Sequence, residues 1–175
     1  MRSAKGDAAI APDACDGERY RHVIGHFATG VTVITSHHDG VDHGATASAV
    51  SSLSLDPPSL LVCLNRTTAT EAAVRASGTF VVNILREHQG DLARRFAGRH
   101  GDKFAGVATA RTALGEPVLA DALARLECRV RDVVPGGTHT VFFAEVLHAE
   151  AHDGAPLAYY RGRFGRLRAD EEAAA

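Results

Sequence analysis

From Leu123 to Val133 the chain alternates in two-residue steps. Ala124, Leu126, Cys128 and Val130 fall on one face, and Arg125, Glu127, Arg129 and Arg131 on the other, the pattern of a strand with one face buried. Pro135-Gly136-Gly137 turns the chain, and 138–150 returns as a second long strand. Upstream, the β-branched run Val31 to Thr35 reads as a strand, Asp39-Gly40 as a hairpin turn, and residues near 42–49 as its partner strand. Ser59 to Leu64 is a short apolar run that follows the brake Asp56-Pro57-Pro58 and reads as a buried strand, and 79–85 as another. Asp16 can cap a helix running to about Thr29, with Tyr20, Val23, Ile24 and Phe27 at helical spacing and Gly30 ending it. Thr68 and Glu71 have the spacing of a capping box, opening a helix that Gly78 closes. A third helix is expected over 87–97, with Leu92 and Phe96 on one face. Long hairpins with two or three helices between them predict a mainly β, antiparallel barrel with helices packed outside it, and nothing resembles alternating βαβ units.

Composition narrows this picture. The 175 residues suit a single domain, expected over 18–168, with a flexible N-terminal arm over 1–17 and a flexible tail over 169–175. A net charge of −2 gives no basic footprint for nucleic acid. The three cysteines are widely spaced and form no C-x-x-C, which argues against a disulfide framework and points to a reducing compartment. No apolar stretch approaches the ~18 residues of a membrane span, so a cytoplasmic protein is expected, with no membrane partner.

The candidate chemistry gathers in 44–70. Small and hydroxylated residues (Thr46, Ala47, Ser48, Ser51, Ser52, Ser54) let backbone N–H groups approach a flat polar ligand. Asn65-Arg66-Thr67-Thr68 then opens a helix whose N-terminus, with hydroxyls and an Arg, suits a phosphate. These features suggest a planar phosphorylated cofactor such as a flavin nucleotide. A Ser-rich loop and an ordinary capped helix are the other reading of the same residues. There is no G-x-G-x-x-G, no P-loop and no G-x-S-x-G, so a dinucleotide would bind outside a Rossmann fold. His22 and His26 have the spacing of a metal pair but lack a glutamate between them and a third ligand, and no metal site is expected. His37, His38 and His43 flank the hairpin turn and read as solvated residues. Arg99 and Lys103 lie in a polar loop, as a solvated face or as a cationic contact to a phosphate. His139 follows a glycine turn at the start of a long strand, where an imidazole has room to donate to or stack on a ligand, or simply ends the strand.

These segments, taken in order, resemble a family. The runs 27–35 (FATGVTVIT), 44–48 (GATAS), 51–58 (SSLSLDPP), 63–68 (CLNRTT), 80–83 (FVVN), 102–104 (DKF), 126–128 (LEC), 139–146 (HTVFFAEV) and 156–165 (PLAYYRGRFG) are similar to the short flavin reductases that serve two-component flavin monooxygenases. The resemblance extends from about Tyr20 to Leu167. It implies the FMN-binding split barrel, a six-stranded antiparallel Greek-key barrel with peripheral helices, working as a homodimer with the flavin near the interface. It also implies that FAD or FMN is reduced by NADH or NADPH and passed to a separate monooxygenase.

Carried over by position, the resemblance sets Thr29, Val31 and Thr32 beside the flavin ring and Thr46, Ala47 and Ser48 at the isoalloxazine edge. Ser51 and Ser52 would meet the phosphate-bearing chain, and Leu64, Asn65 and Thr68 the ribityl and phosphate groups, with Lys103 and Phe104 nearby. His139 matches the histidine of a G-D-H motif associated with nicotinamide binding, but Thr138 stands where the family has its acid. Arg163 and Phe164 match a C-terminal stretch that covers the nicotinamide. Hydride transfer between stacked rings needs alignment at roughly 3–3.5 Å and no protein acid or base, in keeping with the lack of a catalytic dyad. Two other readings fit such a barrel: a flavin carrier or sensor without turnover, and an oxidase holding its flavin tightly.

Overall fold

The computed structural model describes residues 15–99 and 101–168. In chain order the elements are α1 (Gly17–Ile24), β1 (Thr29–Gly30), β2 (Thr32–His38), β3 (Val41–Ala47), β4 (Val50–Leu55), β5 (Pro58–Asn65), α2 (Ala69–Ser77), β6 (Thr79–Ile84), α3 (Gly90–Ala97), β7 (Thr109–Arg111), β8 (Pro117–Leu119), β9 (Ala124–Gly136), β10 (His139–Ala151), β11 (Leu157–Tyr160) and β12 (Arg163–Arg166). The main sheet is antiparallel, in the order β3-β2-β6-β9-β10-β5-β4. Its edge strands β3 and β4 are joined only through Ser48 and Ala49. Laid flat, seven strands would hold the edges roughly 29 Å apart, whereas three peptide links reach no more than roughly 11 Å. The sheet therefore curls into a barrel, and the Cys63 N–H of β5 donates to the Ala49 carbonyl at 2.9 Å, holding the link to the strand beside β4.

Two cores share the sheet. Ile34, Val62, Leu64, Phe80, Val82, Cys128, Phe142 and Ala144 fill the barrel, and Val74 of α2 joins them. Full burial of each Phe ring is worth about 2–3 kcal/mol. On the outer face of β2 and β6, Val31, Val33 and Leu85 pack with Ala93 and Phe96 of α3, Leu119 and Leu157. The expected antiparallel barrel is present with one strand more than six, because Val50–Leu55, part of the run with a Ser-rich-loop reading, pairs with β5 as a strand.

Other elements depart from expectation at their ends. Asp16 caps α1 through the Arg19 N–H at 2.7 Å, but the helix stops at Gly25 rather than near Thr29, because Thr29 pairs with Tyr159 in a separate sheet β1-β11-β12. Asp16 and Gly17 thus belong to the folded part, while 1–14 and 169–175 of the expected arm and tail lie outside the described residues. The third helix begins at Gly90, since Gln89 turns back to accept from the Arg86 N–H at 2.8 Å. Pro135-Gly136 continues β9, so the turn is tightened to Gly137-Thr138, with Gly137 at φ +64°. Among the described residues no helix is long and apolar enough to cross a membrane.

Gly44 shows how closely α3 and the 102–104 loop approach the barrel. A Cβ there would lie 2.6 Å from Phe96 Cδ1 and 3.2 Å from Phe104 Cζ, whose rings meet edge to face. Gly44→Ala is expected to destabilise the protein by about 1–3 kcal/mol through overpacking, read as a lower urea midpoint. An unchanged midpoint would mean that the Phe96 ring withdraws freely.

Candidate functional site

The end of the barrel where β5 runs into α2 carries the densest polar construction. Asn65 accepts from the Thr67 N–H at 2.9 Å and the Thr67 hydroxyl at 2.8 Å through Oδ1, and its carbonyl takes the Thr68 N–H at 3.0 Å. Thr68 caps α2 through the Glu71 N–H at 3.2 Å, and Gly78 closes the helix at φ +72°. Only half of the capping box forms. The Glu71 carboxylate does not return to Thr68 but turns into the barrel, where it accepts from Thr140 Oγ1 at 2.6 Å and from Arg75 Nη2 at 2.7 Å. The N–H groups of Ala69 and Thr70 have no protein acceptor among the described residues. They are two of the free donors that make a helix N-terminus receptive to an anion.

Beside this turn sits His139. It pairs with Asn65 across β5 and β10. Its neighbour Thr140 and Asn65's neighbour Leu64 are both buried in the barrel, so alternation directs His139 and Asn65 to the outer face together. The imidazole Nδ1 lies 3.0 Å from Thr138 Oγ1, so a hydroxyl holds the ring where the resemblance implies a carboxylate. Arg66 closes the corner, its N–H donating to the Thr138 carbonyl at 3.1 Å.

The remaining expected site residues fall into three places. Val31, Thr32 and Ala47 are buried, with the Thr32 hydroxyl on the Ala47 carbonyl at 2.7 Å. Thr29 Oγ1 is buried with no hydrogen-bond partner among the described residues. Ser48, Ser51 and Ser52 are exposed, and Ser51 donates to the Ser52 carbonyl at 3.1 Å. Thr46 faces α3 and donates to the Ala93 carbonyl at 2.6 Å. Lys103 is half-buried and donates to the carbonyls of Gly44 and Phe96, each at 3.0 Å, and this burial lowers its pKa. With Phe104 it braces the 44–47 segment from outside, and its ammonium is already engaged.

Phe164 packs against Tyr159, with Arg94 over its ring at 5.1 Å. It lines a cleft of about 300 Å³ with His88, Asp91, Arg94 and Arg166, while Arg163 is exposed on β12. A second cleft, of about 420 Å³, lies between α2 and the β9–β10 turn, lined by Arg66, Glu71, Arg75, Val133, Pro135 and Thr140. Periodicity did not single out Glu71, Arg75 and Thr140 as a group. A charged residue at a position three after a cap was the only available signal.

The histidines around the hairpin turn are less solvated than expected. His37 Nδ1 lies 2.7 Å from Asp42, which also takes two bonds from Arg111 at 2.7 and 2.8 Å. Burial opposes the Asp42 charge, but the bonds from Arg111 and His37 outweigh it and hold the pKa below its ordinary value. Glu116, buried alongside, accepts from the His37 N–H and the Thr79 hydroxyl, and burial pushes its carboxyl up. The β7–β8 ribbon brings Arg111 and Glu116 to this hairpin, forming a structural cluster distinct from the α2 corner.

Comparison with known proteins bears on these residues. A profile of the flavin reductase like domain matches residues 24–168. The reductase component of a 4-nitrophenol 4-monooxygenase/4-nitrocatechol 2-monooxygenase from Rhodococcus opacus is 55% identical over 152 residues, covering 87% of this chain and 82% of the relative. The reductase subunit HsaB of a flavin-dependent monooxygenase from Rhodococcus jostii is 40% identical over 172 residues, covering 98% and 88%. Among solved structures, the NADH:FAD oxidoreductase SgcE6 of Streptomyces globisporus, in complex with NAD and FAD fragments, superposes with a TM-score of 0.82 at 34% identity, covering 91% of this chain and 96% of that one.

Proposed function

The chain belongs to the flavin reductase like domain family, and we propose that it is an NAD(P)H:flavin oxidoreductase that reduces FAD or FMN with NADH and supplies the reduced flavin to a separate monooxygenase. The observation that carries this reading is the pairing of Asn65 with His139. A residue assigned to flavin and one assigned to nicotinamide stand on adjacent strands, about 5 Å apart, open to the same face, beside a helix N-terminus with free donors.

The residues present suit a flavin nucleotide. The unpartnered Thr29 hydroxyl and the free N–H groups of Ala69 and Thr70 are donors in need of acceptors, which a flavin edge and a phosphate supply. In this reading Thr29, Val31 and Thr32 lie along the ring, and Thr46, Ala47 and Ser48 form its edge contacts. Ser51, Ser52, Leu64, Asn65 and Thr68 hold the chain and phosphate. Lys103 and Phe104 support the 44–47 segment, while His139, Arg163 and Phe164 hold the nicotinamide. When bound, the flavin supplies hydride acceptance at N5. The protein's contribution is alignment of two rings and exclusion of bulk water between them, with no side chain acting as acid or base. Three free cysteines (Cys15, Cys63, Cys128) fit a cytoplasmic setting, where reduced nicotinamide is also available.

A homodimer is part of the same proposal. Tyr20, Val23, Ile24 and Phe27 around α1, and Leu53 and Leu55 on β4, are exposed. Apolar side chains at helical spacing that face solvent favour a covering partner. Light scattering at micromolar concentration is expected to give twice the chain mass, and a monomer would count against the dimer.

Purified protein mixed with NADH and FMN or FAD is expected to oxidise NADH, followed as loss of absorbance near ~340 nm. A carrier would leave NADH untouched, and an oxidase would arrive with tightly held yellow flavin and turn over little of the free flavin.

His139→Ala should raise the KM for NADH several-fold, a loss of about 1–2 kcal/mol, while flavin affinity stays close to wild type. Ser52→Ala and Asn65→Ala should each weaken flavin by a similar amount and leave NADH alone. Crossed effects in a two-substrate titration would exchange the two assignments.

A further inference from the structure

The proposed flavin and nicotinamide contacts stand on two different elements, the N-terminus of α2 and the first residue of β10. Beyond the backbone pairing of β5 with β10, one buried carboxylate ties these two elements together through side chains. Glu71 lies in the first turn of α2, three residues after Thr68, with its side chain 7% exposed. Its Oε1 accepts the Thr140 hydroxyl at 2.6 Å and Arg75 at 2.7 and 3.2 Å, and Arg75 Nη2 also donates to Thr140 Oγ1 at 3.0 Å. Thr140 is 1% exposed and adjoins His139.

Withdrawing a carboxylate from water is costly, and apolar side chains of similar volume usually close such a space with equal or better stability. Helix capping does not account for the cost, because Asn65 already holds the Thr68 N–H. What the triad adds is direction. A hydrogen bond fixes distance and angle between helix and strand, whereas apolar contact leaves them free to slide by fractions of an ångström.

We propose that Glu71 and Thr140 are a positioning pair that fixes the spacing between the phosphate end of the flavin and His139, and so the alignment of the two rings. This rests on the reductase reading above. Arg75 holds the carboxylate in place, and Phe142, under its guanidinium at 5.9 Å, supports it from the barrel side. Neither Glu71 nor Thr140 need touch a ligand. Each half-site keeps its own contacts when the tie is cut, so binding survives while alignment does not.

The test compares Thr140→Val, which keeps shape and removes the hydroxyl, with Thr140→Ser, which keeps it. Four quantities are read: kcat for NADH oxidation with FMN, the KM for NADH, the FMN dissociation constant from flavin fluorescence, and the thermal midpoint. Thr140→Val is expected to lower kcat tenfold or more while both affinities stay within about threefold, and Thr140→Ser to restore kcat to within about twofold. An unchanged kcat in Thr140→Val overturns the proposal. So does a kcat loss matched by an equal loss of flavin affinity, or one that Thr140→Ser fails to restore. Should Thr140→Val give no folded protein, Thr140→Ala decides: it removes the same hydroxyl, so a tenfold loss of kcat with both affinities within about threefold is expected, and a near wild-type kcat overturns the pairing. Wild-type protein that oxidises no NADH with either flavin would instead refute the reductase reading itself.

Discussion

The short link between β3 and β4 governs this molecule. Two residues, Ser48 and Ala49, join the opposite edges of a seven-stranded sheet, and chain length alone then forbids a flat arrangement. Closure gives Phe80 and Phe142 an enclosed interior. It also carries the end of β3 to the side of β5. Ala47 and Ser48 thereby approach Leu64 and Asn65, residues far apart along the sheet order. The small side chains of 44–49 read first as ligand contacts, but they are equally what a tight seam requires.

The seam also explains the distribution of polar groups. Inside the barrel, Thr32, Glu71 and Thr140 each have a partner, as buried polar groups must. At the mouth beside α2, donors remain free, and the side chains there are Asn, Thr, His and Arg rather than Leu or Val. A closed barrel has few places to leave backbone groups open without cost, and helix ends that meet solvent are the chief ones.

Much of the fold was legible because it depends on local chemistry. The alternation in β9, the Asp39-Gly40 turn, the Thr68 cap and the Gly78 stop each follow from conformational preferences within a few residues. The resemblance singled out Asn65 and His139, which periodicity did not, and the sheet register pairs the two across β5 and β10. The misread features depend on partners distant in sequence. Glu71 has the spacing of a capping residue, but Thr140, 69 positions away, draws it inward. Lys103 is not the free solvated cation that one reading of its loop allows, because Gly44 supplies a carbonyl from 59 positions upstream. Helix α1 stops early because Thr29 is needed by Tyr159. The strand character of 50–55 was hidden by its serines, which are poor indicators of pairing when the partner is a hairpin neighbour with strong apolar alternation.

The two cores meet back to back across β2 and β6. Ile34, Phe80 and Val82 face the barrel, while Val33, Val81 and Leu85 are buried on the opposite side. Most strands of such a barrel have one wet face on which sequence can drift without penalty. These two have none over their central residues. A change of side-chain volume on either face of these strands therefore presses on one of the two cores, with no solvated face to absorb it.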